Sequence, residues 1–260
     1  MLKTLLLTFT VLFSTLTSAK VLKAICLKDD RTPSVNNRIA RTLKSFDSRN
    51  GCTSTLIGPN CFLTAGHCLK NINITQFNVP KSIETEIQHS LVEDTYKFKK
   101  RYGHKNQGRG RDWLIYSTQR NSITGEHPGD LYGWYETDRN FPDLEFGIHI
   151  EGYGLDRKSH LNHTLQKSFG RIVKFNPQTR NLHHTADTLG GSSGSAIITI
   201  GNDKIVGIHT HGGCNSSGPF IKSGNSGTMI YGNDALKRAI GRCLSQERKS
   251  RKIEKQNDDK

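Results

Sequence analysis

Apolar residues in this chain fall in short runs cut by Gly, Asn, Asp and Pro. Ser54 to Ile57, Cys61 to Thr64, Trp113 to Tyr116, Phe146 to Gly152, Ser195 to Ile200 and Lys204 to Thr210 are long enough for strands and too short for typical helices. Gly58-Pro59-Asn60 joins the first two, and Gly201-Asn202-Asp203 joins the last two, each as a hairpin turn. Pairing residue 200 with 204 and walking outward sets 195 near 209 and 193 near 211, to within about one residue. The pattern predicts an all-β body over 38–245 ending in a helix. Asn233 can cap that helix, and Leu236, Ile240 and Leu244 recur every four residues on one face from Asp234 to about Ser245.

The two ends read differently from the body. Lys3, the apolar stretch Leu5 to Leu16 and the small residues Thr17-Ser18-Ala19 form an export signal over 1–19. Its removal would leave a secreted chain with no stable membrane insertion. Residues 20–37 are polar and carry Pro33, as expected of an irregular arm or removable pro-segment. Residues 246–260 are almost all charged or amide and read as a solvated, disordered tail.

A hydrophobic share of 33%, 25 glycines and a mean hydropathy of −0.58 exclude a polytopic membrane protein and argue against a helical bundle. The net charge of +14 suits acidic partners. The basic residues Lys237, Arg238, Arg242, Arg248, Lys249, Arg251 and Lys252 have no aromatic ladder beside them, so no nucleic-acid partner is expected.

Export makes the six cysteines meaningful. Cys52 and Cys68 lie at the two ends of a hairpin that can bring their sulfurs together. Cys26, Cys61, Cys214 and Cys243 allow three pairings, and Cys61 also reads as a buried free thiol. Asn73, Asn162 and Asn215 head glycosylation acceptor triplets.

Three segments carry chemistry. Thr64-Ala65-Gly66-His67-Cys68 pins a histidine at a strand end. Arg111-Asp112-Trp113-Leu114-Ile115-Tyr116 puts an acid at the head of an apolar strand, a costly place unless the carboxylate is hydrogen-bonded. Asp187-Thr188-Leu189-Gly190-Gly191-Ser192-Ser193-Gly194-Ser195-Ala196 ends abruptly in an apolar strand. Glycines on either side of Ser193 permit a tight turn that exposes its Oγ and gathers backbone N–H groups. His209-x-His211 with Cys214 offers a metal-site reading, but no matching second ligand pair is evident, and no metal or cofactor is expected.

Together these segments resemble the chymotrypsin-fold serine endopeptidases. Gly191-Ser192-Ser193-Gly194-Ser195, the run Cys52 to Pro59, Gly152-Tyr153-Gly154, Gly207 to Gly213 and Ser226-Gly227-Thr228 resemble the bacterial glutamyl endopeptidase branch. The resemblance implies two six-stranded antiparallel β-barrels with a C-terminal helix. It makes Ser193 the nucleophile, His67 the general base and then acid, and Asp112 the carboxylate that fixes the imidazole tautomer. Ser192 and Ser195 are rival nucleophiles, and motif register favours Ser193. The N–H groups of Gly191 and Ser193 would form the oxyanion hole. Thr188 and His209 would hold a substrate Glu or Asp, with Thr210 lining the cleft close to Asp112. Asp187 stands where trypsin carries its Lys/Arg-selecting acid, so basic specificity is the alternative. A non-catalytic homologue binding polyanions is another. Ser192 replaces the Asp that captures a new N-terminus in trypsin-type zymogens, so that switch should be absent. Protein or peptide substrates and a monomer are expected.

Overall fold

The computed structural model describes residues 24–258 apart from 85, 141–146 and 218–219, so the export signal lies outside the described residues. A two-residue strand β1 (Thr32–Pro33) precedes the first barrel, whose strands are β2 (Ile39–Leu43), β3 (Cys52–Gly58), β4 (Cys61–Thr64), β5 (Ile74–Gln76), β6 (Thr95–Asn106) and β7 (Asp112–Thr118). They close in the order β2-β3-β4-β7-β6-β5. The short helix α1 (Pro128–Tyr132) follows. The second barrel is built from β8 (Gly147–Gly152), β9 (Gln166–Asn176), β10 (Asn181–His184), β11 (Ala196–Thr199) and β12 (Ile205–His211). A small ribbon of β13 (Asn215–Ser217) and β14 (Phe220–Ser223) then leads into its sixth strand, β15 (Asn225–Met229). Strand order β9-β10-β15-β12-β11-β8, with β8 pairing back to β9, closes this ring, and β1 adds to the edge of β9. The expected pair of six-stranded barrels is thus present, followed by helix α2 (Asp234–Asp258).

Alternation along the strands explains the continuous apolar runs. In barrel one, Leu56, Phe62, Leu114 and Tyr116 pack inward with Phe77 and Tyr96. Their neighbours Ile57, Leu63, Trp113 and Ile115 point the other way, against Leu236, Ala239 and Ile240 of α2 and residues of the second barrel. Both faces are covered, so both must be apolar. Each such side chain contributes about 1.5–3 kcal/mol on burial.

The β11–β12 hairpin keeps the expected register at the serine end, with Ala196 opposite Ile208 and Ile197 opposite Gly207. A bulge after Ile197 then absorbs one residue near the turn. Beyond the strand, His209 N–H donates to Ser195 O (2.8 Å) and Gly194 N–H donates to His209 O (2.9 Å).

Two expectations about the ends need correction. Helix α2 continues to Asp258 instead of giving way to a disordered tail after Ser245. Its face continues with charges: the buried Glu247 accepts hydrogen bonds from Asn60 Nδ2 (3.0 Å), Ser117 Oγ (3.0 Å) and Tyr102 and pairs with Lys99 (3.0 Å). Glu254 meets Arg120 (3.2 Å) and His127 (3.0 Å). Cys243 is bonded to Cys61, which removes the free-thiol reading and ties the helix to β4.

The arm is not a loose pro-segment from Cys26 onward. Cys26 is disulfide-bonded to Cys214, β1 pairs with β9, and Ser34 N–H donates to Leu165 O (3.0 Å). A cut after Cys26 would leave that cysteine tethered to the second barrel.

Candidate active site

His67 lies in the 3₁₀ turn Gly66–Asn71 that follows β4, and Asp112 opens β7, which pairs with β4 through Thr64 and Leu114. That register brings the turn and the head of β7 together. The fully buried Asp112 carboxylate is engaged twice by one residue: His67 Nδ1 is 2.6 Å from Oδ2, and His67 N–H donates to Oδ1 (2.9 Å). A carboxylate only accepts, so Nδ1 carries the proton and Nε2 keeps its lone pair. Gly66 has no room for a side chain, because a Cβ there would run into Lys105 O.

Asp112 is anchored from the second barrel as well. Thr228 Oγ1 donates to Asp112 O (2.9 Å) and accepts from Asp112 N–H (3.3 Å). The Thr210 hydroxyl donates to Ser226 O (3.2 Å) and meets His211 Nδ1 (2.9 Å). His211 also approaches the carboxylate, with Nδ1 4.0 Å from Oδ2.

The serine turn is held against the first barrel. Thr53 N–H donates to Ser193 O (2.9 Å), and the neighbouring Cys52 is disulfide-bonded to Cys68, the residue after His67. The Cys52–Cys68 bridge expected from the hairpin is therefore part of the link between histidine and serine. Gly194 has φ +92° and packs so closely on Thr53 and Thr64 that a Cβ would overlap both. Ser192 and Ser195 are buried, whereas Ser193 is partly exposed. Among the described residues no hydrogen bond joins Ser193 Oγ to His67.

The peptide between Gly190 and Gly191 has a defined orientation. Leu155 N–H donates to Gly190 O (2.7 Å), and because C=O and N–H of a trans peptide point oppositely, Gly191 N–H is turned away from Leu155. The next carbonyl, Gly191 O, accepts from Thr53 Oγ1 (2.9 Å), which in turn accepts from Tyr153 N–H (3.0 Å). Neither Thr53 nor Leu155 carries a sequence signal of this role.

The residues expected to bind substrate divide into two groups. Thr188 and His209 are buried, and Thr188 Oγ1 has no hydrogen-bond partner among the described residues. His209 Nδ1 meets His184 Nε2 at 3.1 Å. Burial, with the neighbouring His184, His211 and His67 adding to it, holds the His209 pKa well below the usual histidine range. Burial, with His183 adding to it, pushes His184 down to about 3. Both rings are therefore neutral near pH 7. His183-His184 reads in sequence as no more than a strand pair; only the neighbouring β10, β15 and β12 bring His184 to His209.

Asp187 belongs to the other group, and its reading as a substrate-facing acid is corrected. Its Oδ1 accepts from Cys26 N–H (2.6 Å) and its Oδ2 from Asp30 N–H (3.1 Å). Burial pushes the carboxyl up to about 6, against the pull of those two amides. Thr188 N–H donates to Ala24 O (3.1 Å), so the arm also runs along the next residue.

Metal ligation does not fit these side chains. Cys52, His67 and Cys68 cluster, but the two sulfurs are bonded to each other and offer no thiolate. Cys214 is likewise consumed by Cys26.

The family model for trypsin matches residues 32–226. This chain belongs to the trypsin family. Its domain is that of the serine endopeptidases, which hydrolyse peptide bonds. Similar solved structures include a Glu endopeptidase in complex with MPD (TM-score 0.64, 23% identity, 85% of this chain and 99% of that one). They also include the thermostable serine protease AL20 from an extremophilic microorganism (0.61, 11%, 81% and 98%). A third is the protease Anisep from Arthrobacter nicotinovorans (0.58, 16%, 81% and 99%). In sequence the chain is 26% identical over 176 residues to a protein named extracellular metalloprotease from Bacillus subtilis (strain 168). That match takes in 64% of this chain and 52% of the relative, so the chain spans about half the relative's length.

Proposed function

We propose that this trypsin-family protein is an exported serine endopeptidase using Ser193, His67 and Asp112, with a preference for cleavage after Glu or Asp. The observation that carries the reading is the doubly held imidazole: one buried carboxylate takes both the Nδ1–H and the main-chain N–H of His67. His67 Nε2 then accepts the Ser193 proton as Oγ attacks the scissile carbonyl, and returns it to the leaving amine. Asp112 stabilises the imidazolium without taking its proton. The open Ser193–His67 hydrogen bond closes when substrate aligns the serine. Gly191 N–H, turned away from Leu155, and Ser193 N–H receive the oxyanion, and each such donor is worth about 10²–10³ in turnover. Water then repeats the sequence on the acyl-enzyme.

Pocket chemistry supports the acidic preference. Neutral His209 and unpartnered Thr188 Oγ1 supply hydrogen-bond donors, and His184 Nε2–H donating to His209 Nδ1 would leave the proton of His209 on Nε2. Asp187 faces the arm, so a Lys or Arg side chain would lack its counter-charge. The neighbour named Glu endopeptidase points the same way. The net charge of +14 would steer acidic substrates inward. Three disulfides suit an oxidising compartment, and among the described residues no helix is long and apolar enough to cross a membrane.

A fluorophosphonate probe should label the processed protein and fail on Ser193→Ala; absence of labelling in the wild type would favour the non-catalytic homologue. A peptide library should be cut after Glu and Asp. Cutting only after Lys or Arg would overturn the specificity, as would unchanged acidic selectivity in His209→Ala.

A further inference from the structure

A cavity of about 550 Å³ opens on the first barrel and shares no lining residue with the serine turn. It lies at the Gly58-Pro59 end of the β3–β4 hairpin, whereas His67 follows the opposite end of β4. Ile57, Pro59, Leu244 and Trp134 supply its apolar lining. Trp134 is 44% exposed, and such aromatic surface costs about 25 cal/mol per Å² while it faces water.

The rim is basic. Leu244, Arg248 and Lys252 follow at intervals of four along α2, so they form one stripe beside the cavity. Arg139 faces them from the loop after α1. The rim's fourth cation, Arg251, is paired with Asp130, and Glu136 is paired with Lys204 (3.6 Å). Arg139, Arg248 and Lys252 have no acidic partner among the described residues. Four cations against the single carboxylate of Glu136, among the described residues, give this apolar lining a local positive potential. Guanidinium groups also match a carboxylate in fork geometry.

We propose that this cavity binds a small amphipathic anion, specifically a carboxylate with a medium-length hydrocarbon tail. The tail lies against Trp134, Ile57 and Leu244, and the head meets Arg248 and Lys252. The cavity size is within the range of small-molecule sites. Because the site shares no lining residue with the serine turn, binding does not depend on peptidase activity.

The chain has only two tryptophans, and Trp113 is buried in the core, so emission from Trp134 reports the cavity directly. Titration with dodecanoate below its micellar range should give a saturable change in tryptophan emission, matched by calorimetry. Ser193→Ala should bind equally. Trp134→Phe should lose the optical signal while calorimetry still reports the tail and head contacts. The surface double variant Arg248→Ser/Lys252→Ser, checked for native circular dichroism, should raise Kd at least about tenfold. Dodecanol should bind more weakly by a similar factor, and acetate should give no signal. No saturable binding of dodecanoate would overturn the proposal. Equal affinity for dodecanol, or an unchanged Kd in the double variant, would overturn the anionic head site.

Discussion

Cys26 donates its main-chain N–H to Asp187 Oδ1 at 2.6 Å, so an acid at the edge of the pocket is spent on holding the arm. The same arm is bonded through Cys26 Sγ to Cys214, beyond the end of β12. Asp187, the arm and the end of β12 therefore form one unit.

Burial of Asp187 sets a pH dependence of stability. Its folded-state pKa, near 6, is above the ordinary carboxylate value, so the folded protein holds this proton more tightly than the unfolded chain does. The resulting stabilisation is complete below about pH 4 and is lost as pH rises through about 6. Asp187→Asn should remove that component, on the order of 1 kcal/mol after allowance for solvent screening. Urea midpoints of wild type and variant between pH 4 and 8 provide the measurement; parallel curves would contradict it.

The His184–His209 pair acts in the opposite sense. Both pKa values are depressed, so below about 6.5 the unfolded chain takes up protons that the folded pair refuses. Stability contributed by this burial is present above about pH 6.5 and declines as pH falls, by up to about 1.4 kcal/mol per pH unit for each histidine. His184→Gln should flatten the acid limb of the stability profile, measured by thermal unfolding between pH 7 and 4.

Arg31 has a bracing role in the proposed reaction. Its side chain donates from Nη1 to Leu155 O (2.8 Å), and Leu155 N–H holds Gly190 O, which sets the direction of Gly191 N–H. Arg31→Ala should lower kcat by roughly tenfold, a fraction of the loss expected on deleting an oxyanion donor outright, with KM little changed. Burst-phase active-site titration distinguishes a slower acylation step from a smaller population of folded enzyme.

Glu247 is the polar keystone of the helix interface. Glu247→Ala would leave Asn60, Ser117, Tyr102 and Lys99 facing a void, at a cost of about 3–5 kcal/mol. Ending the chain after Ser245 should cost at least as much. Chemical denaturation of each variant tests this; a midpoint within error of wild type would show that the interface does not depend on the carboxylate.

The legible parts were those written in local pattern. Short apolar runs and turn triplets located β3, β4, β7, β11 and β12 to within a few residues, and the 201–203 turn placed Ser195 opposite His209. The end of α2 was not legible, because past Ser245 the helix is specified by Glu247 finding partners on barrel one and by Arg251 and Glu254 finding partners on the segment between β7 and α1 and on α1 itself. Charged residues at helical spacing look the same whether they face water or a buried tyrosine.

By itself, the sequence determined the strand-rich body, the glycine-flanked serine turn and the order of His67, Asp112 and Ser193, since each depends on neighbours within a few positions or on a resemblance carried by short motifs. Tertiary structure decided the partners. Four cysteines with three possible pairings resolved into Cys26–Cys214 and Cys61–Cys243. Asp187 turned to the arm, and His184 reached His209. Those outcomes depend on which distant backbone amide, sulfur or ring arrives within about 3–4 Å once the barrels close, and no local spacing encodes that.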